Sequence, residues 1–340
     1  MKTFSKKIWA LLLAGVFLFS SIGCGSNGSA QTASADSVST SDASLERSSM
    51  KTVSKEKNAA VESSTKTSDK KQISYKSIAR PSKDGALKVK KGRLVNSKGK
   101  AVQLRGISTH GINWYPQYVN QKLFKEFSKK WNADVIRLAM YTAEYNGYTS
   151  GGSQKDLKKL VCNGIDYATK ADMYVIVDWH ILSDNNPNMH KKEAKAFFKY
   201  ISKKYKKSKN VIYEICNEPN GNTSWDDIKK YANSVIKVIR KNDPDAVIIV
   251  GTPTWSQDVD KAAASPLKYK NVMYTLHFYA ATHKDYLRNK MVAAVKKKLP
   301  IFVTEFGICD ASGNGTIDEK SANTWIKTLN KYGISYCMWS

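Results

Sequence analysis

The stretch Asn210–Gly221, NVIYEICNEPNG, decides the fold of this chain. It opens on an apolar, β-branched run, Val211–Ile215, and closes on Asn217-Glu218-Pro219, where the proline cannot continue a strand ladder. That pattern is a buried strand halted at a carboxylate. Ile301–Gly307, IFVTEFG, repeats it with Glu305. Further apolar runs of strand length are Val102–Ser108, Val135–Met140, Tyr174–Asp178, Val247–Val250, Val272–His277 and Ser335–Met338. Between most of them lie stretches with one apolar face at helical spacing: Gln121–Trp131, Asp156–Ala171, Lys191–Lys206, Trp225–Lys241, Asp285–Lys298 and Glu319–Lys331. Strands alternating with helices form right-handed βαβ units and a parallel sheet. Eight of them within residues 86–340 predict an α/β fold, a (β/α)8 TIM barrel whose site lies at the C-terminal strand ends. The alternative is a doubly wound open sheet, but no Gly-rich phosphate loop follows the first strand. Ala86–Val95 and Ala101–Gly106 alternate around Asn96-Ser97-Lys98-Gly99, predicting a small N-terminal β-hairpin.

A barrel with a working upper face collects polar and aromatic residues at its strand ends. In chain order the ends here carry His110 and Trp114, Arg137 and Tyr141, His180, Asn217 and Glu218, Trp255, His277 and Tyr279, Glu305, and Trp339. One His or Trp at a strand end is usually structural; the same pattern at eight ends predicts a site. Two carboxylates at strand ends are the groups needed to hydrolyse a glycosidic bond, one ionised and one protonated at the same pH. Arg137 is the natural counter-ion for Glu305, and Tyr279 a hydrogen-bond donor to it. The reading needs no cofactor. No close-spaced His/carboxylate pair predicts a metal site.

Residues 1–24 read as a signal peptide. Lys2, Lys6 and Lys7 precede the apolar run Ile8–Phe19, and Ser21-Ile22-Gly23-Cys24 resembles a lipoprotein box that would lipidate Cys24. Residues 25–85 are rich in Ser, Thr, Ala, Lys and Asp and read as a disordered linker. These features predict export to the cell surface or medium, with a lipid anchor as the membrane contact. Cys162, Cys216, Cys309 and Cys337 are expected as free thiols in or beside core elements; Cys309 and Cys337 lie on adjacent strands and could meet.

The stretches His110–Tyr115, Val135–Tyr141, Val175–Pro187, Val211–Gly221, Ile248–Val259, Val272–Ala280 and Ile301–Gly307 resemble those of glycoside hydrolase family 5 cellulases of the bacterial endo-β-1,4-glucanase type. The resemblance runs from about residue 86 to the end. It implies a retaining catalytic domain with Glu218 as acid/base and Glu305 as nucleophile. It further implies support from Arg137, Asn217, His277 and Tyr279, and sugar contacts from His110, Trp114, Tyr141, His180, Trp255 and Trp339. The expected partner is a β-glucan met by a monomer; mannan- or xyloglucan-specific hydrolysis and a non-catalytic glucan-binding barrel are the alternatives. Family members continue through an eighth helix, so a barrel truncated after strand 8 is expected to be a fragment of a longer chain. Lys and Arg exceed Asp and Glu by 55 − 29 = 26. Much of that excess is lysine on helix faces, which reads as a solvated surface. Nucleic-acid binding is disfavoured because the strand-end aromatics sit beside carboxylates, which repel phosphates.

Overall fold

The computed structural model describes residues 78–339. The signal peptide, Cys24 and most of the linker lie outside the described residues. Eight parallel strands close into a barrel: β1 (Arg105–Ser108), β2 (Val135–Tyr141), β3 (Tyr174–His180), β4 (Val211–Glu214), β5 (Val247–Val250), β6 (Val272–Tyr279), β7 (Ile301–Gly307) and β8 (Ser335–Met338). Their order round the ring is their order in the chain, and β8 pairs with both β1 and β7. The doubly wound alternative is thereby excluded. Helices α1 (Gln121–Lys130), α2 (Gln154–Lys170), α3 (Lys191–Lys204), α4 (Trp225–Arg240), α5 (Val259–Ala264), α6 (Asp285–Lys296) and α7 (Glu319–Tyr332) follow β1 to β7 in turn.

Local chemistry fixes several helix starts. Ser224 accepts from the Asp227 backbone N–H while the Asp227 carboxylate accepts from the Ser224 backbone N–H, a capping box opening α4. Asn120, Ser153 and Asp318 accept in the same way at α1, α2 and α7. Gly106 on β1 allows close approach to β2, because a Cβ there would stand 1.9 Å from the Val135 carbonyl oxygen.

Alternation along the strands separates two apolar cores. Ile136, Leu138, Val175, Val177, Tyr213, Ile248, Leu276 and Val303 face the helices. Val135, Tyr174, Ile176, Ile212, Ile249, Met273 and Phe302 belong to a second cluster, with Leu87, Leu94 and Val102. The N-terminal segment therefore packs onto the barrel interior; Tyr174 also donates its hydroxyl to the Gly85 carbonyl at 2.7 Å.

The hairpin differs from its predicted form. Lys88–Lys90 pairs with Arg93–Val95, so the tight turn falls at Lys91-Gly92. Both turn residues have positive φ (53° and 75°), matching the twist a two-residue hairpin demands. The turn expected at Asn96–Gly99 comes second and carries a single bridge, Val95 to Ala101. The packed domain also begins before residue 86. Ala79 is buried, Arg80 donates to the Ala133 and Ser128 carbonyls, and Asp84 accepts from the Asn96 side chain.

Two backbone irregularities shape the upper face. Between Phe302 and Glu305, β7 holds one residue more than either neighbour: Thr275–His277 and Phe302–Glu305 are paired on one side, Tyr336–Met338 and Val303–Phe306 on the other. This bulge turns Glu305 inward immediately after the inward-facing Thr304. After β5, Thr254, Trp255 and Ser256 all adopt left-handed backbone, with φ of 58°, 52° and 57°. Each costs about 1–2 kcal/mol for an L-residue. The turn is held by Ser256 Oγ donating to the Asn217 carbonyl at 2.6 Å and Trp255 N–H donating to the Pro219 carbonyl at 3.0 Å.

Candidate active site

Glu218 and Glu305 meet at the C-terminal mouth of the barrel, each nearly buried. Carboxylate oxygens of the two lie within 4.8 Å of one another, with a ring nitrogen of His277 inside the same distance. Glu305 accepts from Arg137 Nη1 on Oε2 at 3.1 Å and from the Tyr279 hydroxyl on Oε1 at 2.8 Å. Both predicted supports are in place. Burial, and then the Glu305 charge, hold the Tyr279 phenol far above its usual range, so it stays a donor.

Arg137 does more than neutralise Glu305. Fully buried, it donates to Glu214 through Nε (2.8 Å) and Nη2 (3.2 Å), to Asn217 Oδ1 (2.6 Å), and pairs with Asp178 Oδ2 (3.0 Å). One guanidinium thus sits among three carboxylates. Two of them, Asp178 and Glu214, lay within strands predicted from the sequence but were given no role in the site. Strand parity marks both, since Tyr174, Ile176 and Asp178 share one face of β3, as Ile212 and Glu214 do on β4. Thr304 shares its face of β7 with Phe302, but counting back from the inward Glu305 would send it outward, because the bulge breaks the alternation between them.

The surplus of buried negative charge acts on Glu218. Burial, aided by Asp178 and Glu214 and opposed by Arg137, raises its carboxyl to about 8. Its side-chain partner is His277, whose Nδ1 lies 2.7 Å from Glu218 Oε1. Burial lowers His277 to about 4, so the ring is neutral near pH 7.

Asn217 and His180 are locked together. His180 Nδ1 lies 2.6 Å from Asp178 Oδ2, which fixes the hydrogen on that nitrogen. Nε2 then accepts from Asn217 Nδ2 at 3.2 Å, and the same amide donates to the Ile181 carbonyl. Asn217, expected as a supporting residue, is fully buried with its amide hydrogens on these two partners.

Five rings enclose the mouth of the site. Tyr141 and Trp114 are 4.5 Å apart, Trp114 and His110 5.8 Å, His110 and Trp339 5.2 Å, Trp339 and His180 5.4 Å, and His180 and Tyr141 4.1 Å, centroid to centroid. Trp255 stands apart from this ring, 46% exposed on its left-handed turn after β5. In an eight-strand ring β5 is opposite β1, whose loop carries Trp114. Aromatic faces therefore flank the carboxylates on two sides. Trp225 and Trp325 are buried helix residues.

Glu218, His277 and Glu305 are a set that could in composition hold a cation. Their converging atoms are already used: His277 Nδ1 and Glu218 Oε1 face each other, and both Glu305 oxygens accept hydrogen bonds. Cys162, Cys216, Cys309 and Cys337 are all free thiols.

A parallel barrel with paired glutamates and aromatic walls at its upper face is the architecture of a glycoside hydrolase. Residues 95–340 match the family model for cellulase, glycosyl hydrolase family 5, and the chain belongs to that family. Endoglucanase A of Butyrivibrio fibrisolvens is 49% identical over 259 residues, covering 75% of this chain and 60% of that protein. An endoglucanase of Clostridium saccharobutylicum is 51% identical over 258 residues, covering 75% and 57%. The chain thus spans less than two thirds of the length of either relative. Among solved structures, the Thermobifida fusca endoglucanase Cel5A catalytic domain in complex with cellotetraose superposes with a TM-score of 0.73 at 39% identity, covering 77% of this chain and 87% of that one.

Proposed function

We propose that this chain hydrolyses internal β-1,4-glucosidic bonds of cellulose or a related β-glucan, with retention at the anomeric carbon. The observation that carries the reading is the approach of Glu218 and Glu305 oxygens to within 4.8 Å. Retaining enzymes hold their carboxyl groups about 5–5.5 Å apart, whereas inverting enzymes leave about 6.5–9.5 Å for a water. Glu305, accepting from Arg137 and Tyr279, attacks C1 as Glu218 delivers its proton to the leaving oxygen and the C1–O bond breaks. Water then attacks C1 of the glycosyl-enzyme, gives its proton to Glu218, and Glu305 departs. Two inversions make one retention.

The aromatic faces on both sides of the carboxylates suit pyranose rings laid across the barrel mouth. The named endoglucanase relatives and the cellotetraose-bound neighbour support a β-glucan as substrate. Proton NMR of early hydrolysis of a soluble cello-oligosaccharide tests the stereochemistry. The β-anomer should accumulate first and mutarotate later; initial release of the α-anomer would exclude the double displacement.

The basic, apolar leader ending at Cys24 supports export and lipid anchoring. In a bacterial host, Cys24→Ser should move the protein from the membrane fraction to the soluble exported fraction. An unchanged distribution would remove the anchor.

A further inference from the structure

The residue holding Glu218 is itself held, and the far end of that support is a carboxylate inside the barrel. His277 sets Nδ1 2.7 Å from Glu218 Oε1 and Nε2 2.9 Å from Thr304 Oγ1. Thr304 Oγ1 lies 2.7 Å from Glu214 Oε1 and 2.5 Å from Thr275 Oγ1. The directions of these bonds follow from the anchored end. Glu214 takes Arg137 Nε on Oε2 and Nη2 on Oε1, the two-point pairing of an ionised carboxylate. An ionised carboxylate only accepts, so the one hydroxyl hydrogen of Thr304 goes to Glu214. The Thr304 oxygen then has only lone pairs left, and His277 Nε2 must donate to it. A neutral imidazole carries one N–H. With that hydrogen on Nε2, Nδ1 presents a bare lone pair to Glu218, and the hydrogen between them has to come from Glu218.

We propose that Glu214, Thr304 and His277 are positioning residues that set the protonation of Glu218: the carboxylate anchored by Arg137 fixes the direction of a hydrogen-bond chain whose last member accepts only from the protonated acid. The proposal rests on Glu218 being the acid/base and adds how it is held in its acid form. It also assigns the chain a part in the second half of the reaction. Once Glu218 has given up its proton, its carboxylate faces the Nδ1 lone pair. That repulsion is relieved when Glu218 takes a proton from the incoming water. The charged groups around Glu218 come from four strands: Arg137 on β2, Asp178 on β3, Glu214 on β4 and Glu305 on β7; Tyr141, Tyr279 and His277 face it uncharged.

The test is the pH dependence of kcat/KM on a cello-oligosaccharide, which reports the free enzyme's essential groups. Wild type should lose activity as pH rises through about 8, where Glu218 ionises. Thr304→Val removes the hydroxyl at constant volume and frees His277 to turn its N–H toward an ionised Glu218. Its basic limb should fall by about one pH unit, the worth of a hydrogen bond to a charged group. Thr304→Ser should restore the limb. An aryl cellobioside with an activated leaving group needs no proton, so its glycosylation rate should not follow the shift. Glu218→Gln separates the two levels. If it loses the basic limb while Thr304→Val keeps the wild-type limb, the chain is overturned and Glu218 stands; if the limb persists in Glu218→Gln, the acid/base reading itself fails. Should Thr304→Val not fold, the 15N spectrum of the wild-type imidazoles decides, with the His277 signals assigned by their absence in His277→Asn. An Nε2–H tautomer is expected, and an Nδ1–H tautomer would overturn the proposal.

Discussion

Replacing Glu305 by glutamine is expected to lower turnover of cello-oligosaccharides by about 10⁴- to 10⁶-fold, the scale seen when a nucleophile is removed from an otherwise intact site. The amide is nearly isosteric but cannot attack C1. It also fits its surroundings badly: both Glu305 oxygens accept from donors, Arg137 Nη1 and the Tyr279 hydroxyl, and one would now meet an NH2 group. Binding by the aromatic walls should survive, so affinity for a cello-oligosaccharide should change far less than rate. A folded variant with wild-type turnover would remove Glu305 from its role and restore the non-catalytic binding barrel as a reading. Azide separates the two glutamates. With an activated aryl cellobioside, Glu305→Ala should yield the α-glycosyl azide, because azide enters from the vacated face in a single inversion. Glu218→Ala should yield the β-azide, because azide displaces Glu305 from the glycosyl-enzyme. The reverse pattern would exchange the assignments.

Arg137→Leu is expected to have the largest effect on stability. It leaves Asp178, Glu214 and Glu305 facing one another inside the barrel with no cation, and breaking such a buried arrangement costs about 3–5 kcal/mol. Lysine is no remedy, since one ammonium cannot reproduce donation through Nε and both Nη atoms. The loss should depend on pH. Burial already raises Asp178 and Glu214 above the usual carboxylate range against the pull of Arg137, and without that cation they rise further. A carboxyl raised in the folded state contributes stability below its unfolded value and loses it as pH climbs through the folded one. The variant's denaturant midpoint should therefore approach that of wild type near pH 5 and fall well below it at pH 8. Equal midpoints at both pH values would show that the three carboxylates do not depend on Arg137.

What the sequence revealed of this molecule follows from which features repeat. Apolar strands, amphipathic helices and strand-end polar residues recur around the ring, and β5 and β8 have the bounds their apolar runs suggest. Glu218 and Glu305 stood out because both end buried runs. The hairpin turn at Lys91-Gly92 was passed over because a stronger turn signal, Asn96-Ser97-Lys98-Gly99, lies just beyond it. The left-handed turn at Thr254–Ser256 has no local signal: a β-branched residue and a tryptophan disfavour that conformation, and contacts with Asn217 and Pro219 hold it. The β7 bulge is equally silent, since one extra residue in IFVTEFG becomes visible only against its paired neighbours. Glu214 and Asp178 were legible in principle. They were missed because a charged residue inside an apolar run reads as the run's end, when each is the inward partner of an arginine two or one strands away.

Arg137 and Glu305, in direct contact, are 168 residues apart in the chain, and the groups that surround them come from β3, β4 and β6. No single βαβ unit contains a working fragment of the site. A refolding chain that has formed most of its helices and its early strands still holds Arg137 without Glu305, and the cost of joining them is that of closing a very long loop. Recovered turnover is then a clock for the last step of ring closure, and should lag behind the return of helical signal instead of rising with it.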